Sequence, residues 1–256
     1  MSETTSTAKQ ESLVREKEQA AYKKTCDKYV TSGLSRNVTI QFLLEQLEKM
    51  GYKPPAGFIR CVDCGSKKAG AGFGVIEETT TTTTSSISEN QRQDKHDEER
   101  MSLPKCHANL QNVKDQQLLQ SQNNNDGKSI LKLKPEIFLC QQHLRNESHA
   151  HESMVHELIH AIDMCRTKMD PLHNCIHLAC TEIRAENLSG ECSIWNEIGR
   201  MKGKFPKHGQ TCVKRRAALS LHANHNCSEH AEKYIEAAFE RCYKDTFPFD
   251  RHPNLR

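Results

Sequence analysis

Long apolar runs are missing from these 256 residues. Nowhere do the 18 or more consecutive apolar positions of a membrane-spanning helix occur, so any contact with a membrane is expected from outside the bilayer. The opening segment, MSETTSTAKQ, has no apolar core and no arginine, which argues against a secretory signal and against a good mitochondrial presequence. A dominant charge is missing as well. Lys+Arg 36 against Asp+Glu 33 leaves +3, with the signs interspersed, and a balance so near neutrality does not imply a nucleic-acid partner. Hydrophobic residues make up only 36%, low for a compact globule, so part of the length is expected to be disordered or solvated.

Cysteine is not scarce. Twelve cysteines without a secretory signal leave two readings. Either the thiols hold further zinc in a reducing compartment, or they are oxidised where import can proceed without a presequence, as in the mitochondrial intermembrane space. Spacing favours disulfides, because Cys61-Val62-Asp63-Cys64 is the sole close pair and the rest are scattered from Cys26 to Cys242. Cys212, Cys227 and Cys242 are evenly spaced and could staple a helical pair to its neighbour.

Residues 1–35 are expected to form a flexible or helical extension, charged and helix-permissive over 9–30. Residues 36–256 are expected to form one domain. Within it, composition changes at about 75–134, where six threonines, a mixed charge run and Gln/Asn-rich text predict a disordered low-complexity insert. Ile40, Leu43, Leu44 and Leu47 recur at i, i+3, i+4, i+7 and predict an amphipathic helix capped by Asn37 and ended by Gly51. Val155, Leu158, Ile159 and Ile162 repeat that pattern, with a break near Asp170-Pro171. A further helix is expected over 174–189, closed by Gly190, and another on Ala231, Tyr234, Ile235, Ala238, Phe239 and Cys242. Residues 193–222 should hold one or two more. Strand signals are confined to 58–62 and 136–140.

The segment His156-Glu157-Leu158-Ile159-His160 carries the chemistry. Residues four apart share a helix face, so both imidazoles can reach one ion, and Glu157 can reach a water held there. Zinc lowers the pKa of such a water towards neutrality, and the carboxylate takes its proton as a peptide carbonyl is attacked. His156 and His160 are therefore expected metal ligands and Glu157 the catalytic base. Glu182, on the next predicted helix, is the expected third ligand, with His177 and His173 as alternatives. Glu186, one turn later, could orient a ligand histidine, and Asp163 is its rival. His143, His149 and His151 are expected at the surface. Tyr243 and the arginines near 215 are candidates for stabilising the oxyanion. The fold class expected is α+β, mainly helical: a gluzincin-like HExxH zinc-peptidase core with a small sheet and disulfide-linked C-terminal helices, and one catalytic Zn2+.

The segments HELIHAIDMCR at 156–166, HLACTEIRAENLSGEC at 177–192, CVKRRAALS at 212–220 and CYKDTFPFDRHP at 242–253 resemble the mitochondrial inner membrane metalloproteases that process and help assemble the ATP synthase membrane sector. The resemblance implies a zinc metalloendopeptidase, peripheral on the intermembrane-space side of the inner membrane and held by several disulfides. It would remove the N-terminal extension of ATP synthase subunit 6 and assist Fo assembly. His156, Glu157 and His160 carry over as ligand, acid/base and ligand. The chain departs from the family pattern at Ile162, where an aromatic residue is usual, in the 75–134 insert, and in Cys106 and Cys175, which look additional. A rival reading is an assembly chaperone with structural zinc and dispensable proteolysis. A weaker one makes the CVDC pair and Lys214-Arg215-Arg216 a nucleic-acid module, although one CxxC and three basic residues are ordinary without it.

Overall fold

The computed structural model describes residues 3–66, 70–79, 106, 131–171, 173–192, 208–250 and 252–253. Helix α1 runs over Glu3–Arg36 and α2 over Val38–Lys49. Strand β1 (Ile59–Val62) follows, then β2 (Ala71–Thr79) and β3 (Leu131–Cys140). Among the described residues the further α-helices are α3 (Glu147–Arg166), α4 (Cys175–Leu188), α5 (His208–Ala223) and α6 (Ala231–Lys244). The chain is thus mainly helical with a small sheet, as the composition and periodicity predict.

The helix ends follow local chemistry. The Asn37 side chain accepts from the Thr39 and Ile40 backbone N–H groups to start α2, and Asn174 does the same for Ile176 and His177 at α4, each satisfying donors that a helix start leaves orphaned. The predicted 9–30 segment continues through Ser32-Gly33 to Arg36. A glycine inside a helix is normally costly, but a Cβ at Gly33 would stand 3.0 Å from Ile40 Cδ1 and from Met154 Cε. Close approach of α1 to α2 and α3 is what that position provides.

The sheet has the order β1-β3-β2, with β1 parallel and β2 antiparallel to β3. Strand β2 was not expected from the sequence, and β3 begins earlier than predicted. Glycines at 72 and 74 weaken the alternation by which a strand is recognised. The glycine is compensated across the strand, since Phe138 is the partner of Gly72 and its ring fills the place a Cβ would occupy. Pro135, unable to donate to a ladder, sits beyond the end of β1, whose pairing with β3 starts at Ile137. Of the predicted insert, both ends are therefore strand, and 80–105 and 107–130 lie outside the described residues. Cys106, inside it, is bonded to Cys165 of α3.

Among the described residues two apolar cores result. The first lies between the C-terminal part of α1, α2, the sheet and the buried face of α3, around Ile40, Leu43, Ile137, Leu139, Leu158 and Ile162. The second joins α4, α5 and α6 around Ile183, Val213, Ala217, Ile235 and Phe239. Helices α3 and α4 meet where the two cores adjoin.

All twelve cysteines are paired. Cys61 and Cys64 bond to Cys26 and Cys140, so the CVDC segment is a junction of two disulfides. Cys175–Cys227, Cys180–Cys242 and Cys192–Cys212 all tie α4 or its end to the C-terminal helices. The evenly spaced trio therefore staples α5, α6 and the turn between them to α4 and the segment just after it. Cys106 and Cys175, which the resemblance marks as extra, each have a partner.

Candidate metal centre

Helix α3 starts at Asn146, whose side chain accepts from the His149 N–H, and carries His156 and His160 on one face with ring centroids 4.8 Å apart. Helix α4 crosses it and brings Glu182 between the two rings. His156 Nε2 lies 3.7 Å from Glu182 Oε2 and His160 Nε2 lies 3.6 Å from Glu182 Oε1. One ligand atom from each of these residues falls within 4.8 Å of the others. Glu182 Oε2 is buried with no hydrogen-bond partner among the described residues, an arrangement that costs free energy unless a cation completes it.

Glu157 sits beside this cluster, only 7% exposed, and accepts a hydrogen bond from the Phe73 backbone N–H of β2. Strand β2, Glu157 and the cluster of His156, His160 and Glu182 thus share one wall. Burial pushes the Glu157 carboxyl up to about 7, against the pull of His156. Burial also opposes charge on His156, but the carboxylates of Glu182, Glu157 and Glu186 outweigh it and raise that imidazole to about 9. His160, buried and beside His156, is pushed down to about 4 although Glu182 opposes this. Burial would raise Glu182, yet His160 and His156 hold it at about 2. Without a metal, then, a proton on His156 balances the acidic cluster. A divalent cation fits the same demand, and two neutral imidazoles plus a carboxylate are the donor set zinc takes.

A hub of buried charge supports His160. Asp163, fully buried, accepts from Thr181 Oγ1 at 2.9 Å, from Arg166 Nε at 2.8 Å and from Arg184 Nε at 2.9 Å. Because the Thr181 hydroxyl donates to Asp163, its oxygen is left to accept from His160 Nδ1, 2.9 Å away. That fixes the proton on Nδ1 and leaves the Nε2 lone pair facing Glu182. Replacing Thr181 by Val strands the His160 N–H in a buried site. Zinc affinity, measured by chelator competition, is expected to fall about 10-fold or more, and Thr181→Ser to retain it.

Asp163 and Glu186 thus stand on different histidines. Asp163 reaches His160 through Thr181, while Glu186 Oε1 lies 4.0 Å from His156 Nδ1. His177 is engaged elsewhere, its Nδ1 accepting the Asp170 N–H at 3.1 Å, and His173 contacts Asp170. Tyr243 stacks on Phe239 with centroids 5.0 Å apart. Lys214 pairs with Glu236 and lies over the Phe239 ring, while Arg216 turns to Glu186. His151, expected at the surface, is part-buried and bonds the Tyr29 carbonyl oxygen of α1. Thr181 and Arg184 are not identifiable from sequence, because their roles depend on the packing of α3 on α4.

A cavity of about 490 Å³ opens over the cluster. Beyond the ligand residues and Glu157 it is lined by Gly72 and Phe73 of β2, by Met164, Pro171 and Leu178, and by the polar side chains of Asp170, Ser220 and Asn224. Its apolar wall can hold a side chain and its strand edge can hold a peptide backbone.

The model of the Peptidase M76 family matches residues 78–250. The chain is 48% identical over 120 residues to the mitochondrial inner membrane protease ATP23 homolog of Homo sapiens, covering 46% of this chain and 49% of that protein. Against the Xenopus laevis homolog it is 47% identical over 122 residues, 47% of this chain and 52% of the relative. Against mitochondrial inner membrane protease atp23 of Aspergillus niger it is 43% identical over 117 residues, 44% and 49% of the two chains. The aligned part thus spans about half the length of these curated relatives. No solved structure matches.

Proposed function

Because this chain belongs to the Peptidase M76 family, we propose that it is a zinc metalloendopeptidase with a gluzincin-like site at His156, His160 and Glu182. The observation that carries the reading is the convergence of those three ligand atoms beside buried Glu157. Zinc held there would supply a Lewis acid that polarises the scissile carbonyl and acidifies the attacking water. Glu157 takes the proton of that water and delivers it to the leaving amine. Its place beside the three ligand atoms lets one carboxyl serve both halves of the cycle. The edge of β2, unpaired among the described residues, aligns the substrate backbone as an added strand, and the wall of Met164, Pro171 and Leu178 receives a side chain.

The site of action we propose is the inner mitochondrial membrane, peripherally on the intermembrane-space side. The names of the relatives support the membrane, and six disulfides suit an oxidising compartment. Among the described residues no helix is long and apolar enough to cross a membrane. The substrate we propose is the N-terminal extension of ATP synthase subunit 6, with assistance to Fo assembly as a second duty.

Elemental analysis of purified wild type beside His156→Ala/His160→Ala tests the reading. About one zinc per chain is expected in wild type and none in the variant. Zinc unchanged by the double substitution would overturn it.

A further inference from the structure

Each metal-site histidine needs an acceptor for its second ring nitrogen, and the Thr181–Asp163 relay serves His160 alone. His156 Nδ1 is buried and makes no hydrogen bond among the described residues. The carboxylate oxygen nearest it in the ion-pair geometry is Glu191 Oε1 at 3.7 Å, ahead of Glu186 Oε1 at 4.0 Å. Both carboxylates are bound on their far side by one guanidinium. Arg216 Nε donates to Glu186 Oε2, and a second Arg216 nitrogen pairs with Glu191 Oε2.

We infer that Glu191, locked by Arg216, positions the His156 imidazole, an inference that rests on the metallopeptidase reading above. Glu191 lies outside α4. It reaches the histidine because the helix stops at Ser189 and Gly190, at φ +82°, turns the chain back. A left-handed residue at that point is what glycine supplies without a Cβ penalty. The next residue, Cys192, is bonded to Cys212 of α5, and Arg216 stands one turn after Cys212 on the same face. The disulfide therefore indexes both ends of the Glu191–Arg216 pair. The guanidinium also acts electrostatically. Without it, the carboxylates of Glu186 and Glu191 would repel each other next to Glu182, and His156 would lose a fixed acceptor. Bridging two carboxylates needs the planar fork of arginine, whereas lysine offers only a point charge.

Zinc affinity, read by competition with a chromophoric chelator, is expected to fall about 10–100-fold in Arg216→Met and in Glu191→Ala. The double variant should be no worse than the weaker single one, because one residue acts through the other. Circular dichroism of the metal-free chains verifies folding. Should Arg216→Met fail to fold, Arg216→Lys takes its place with the same direction expected. Wild-type affinity in Glu191→Ala, or losses that add in the double variant, overturns the inference and leaves the metal site standing. A wild type that binds no zinc, or zinc that survives His156→Ala/His160→Ala, overturns the metal reading and the inference with it.

Discussion

Glu157→Gln will abolish most peptide hydrolysis while leaving zinc in place, with the rate down by about 10²–10⁴-fold, the range that a positioned general base contributes. The amide keeps the shape of the side chain and can still meet the Phe73 N–H, but it can accept no proton from the attacking water. The ligand atoms proposed for the metal belong to His156, His160 and Glu182, none of which is altered. Processing of a subunit 6 precursor by purified chain, with metal content measured on the same sample, checks both halves. An active variant would remove Glu157 from the mechanism. Loss of zinc together with activity would instead assign Glu157 to the ligand set.

The same substitution carries a sign in pH. Burial raises the Glu157 carboxyl to about 7, above its ordinary 4.5, so the folded metal-free chain binds more protons than the unfolded one between those values. Stability of the metal-free wild type on this account falls as pH rises through that window. Glu157→Gln has no such proton to lose, so the metal-free variant should gain on metal-free wild type as pH rises from 4.5 to 7, a difference that denaturant unfolding at the two pH values reads. In cells the variant also separates the two duties proposed: assembly of the Fo sector that survives without processing would favour chaperoning over proteolysis.

Much of this site was legible because its signals are local. The i, i+4 spacing of His156 and His160 and the capped helix that carries Glu182 need no knowledge of tertiary packing, and Asn37, Asn174 and Gly190 mark helix ends by chemistry of their own. Strand β2 was hidden because Gly72 and Gly74 carry no side chain to alternate, and what stabilises Gly72 is Phe138, more than sixty residues away in sequence. The roles of Thr181, Arg184, Glu191 and Arg216 were hidden for the same reason. Each exists only where α3, α4 and α5 meet, and no spacing rule connects Arg216 to His156. Disulfide pairing also depends on the fold: the CVDC cysteines are neighbours in sequence and bond to α1 and β3.

Arg184 should be the costliest charged side chain to remove. It is fully buried and donates through Nε to both oxygens of Asp163, at 2.9 and 3.1 Å. Its other nitrogens donate to the Asp245 carbonyl and, at 2.7 Å, to the Phe247 carbonyl. Arg166 closes the cluster, bonding Asp163 at 2.8 Å and Asp245 Oδ2 at 2.7 Å. Two acids and two arginines thus neutralise each other and anchor the segment after α6 to α3 and α4. Arg184→Met fills similar space but leaves buried acceptors without donors. The expected loss is about 3–5 kcal/mol, the range for breaking a buried pair from one side, or a fall on the order of 10 °C in melting temperature for a chain of this length. Thermal and denaturant unfolding with the disulfides intact measures it. Removing both partners tests the cause. In Arg184→Met/Asp163→Leu no charge is orphaned between those two positions, so part of the stability should return. Zinc affinity should behave differently: kept in Arg184→Met, it should fall in the double variant, because only there has Thr181 lost the acceptor that directs its oxygen to His160. Wild-type zinc affinity in the double variant would mean that the hub supports the fold alone.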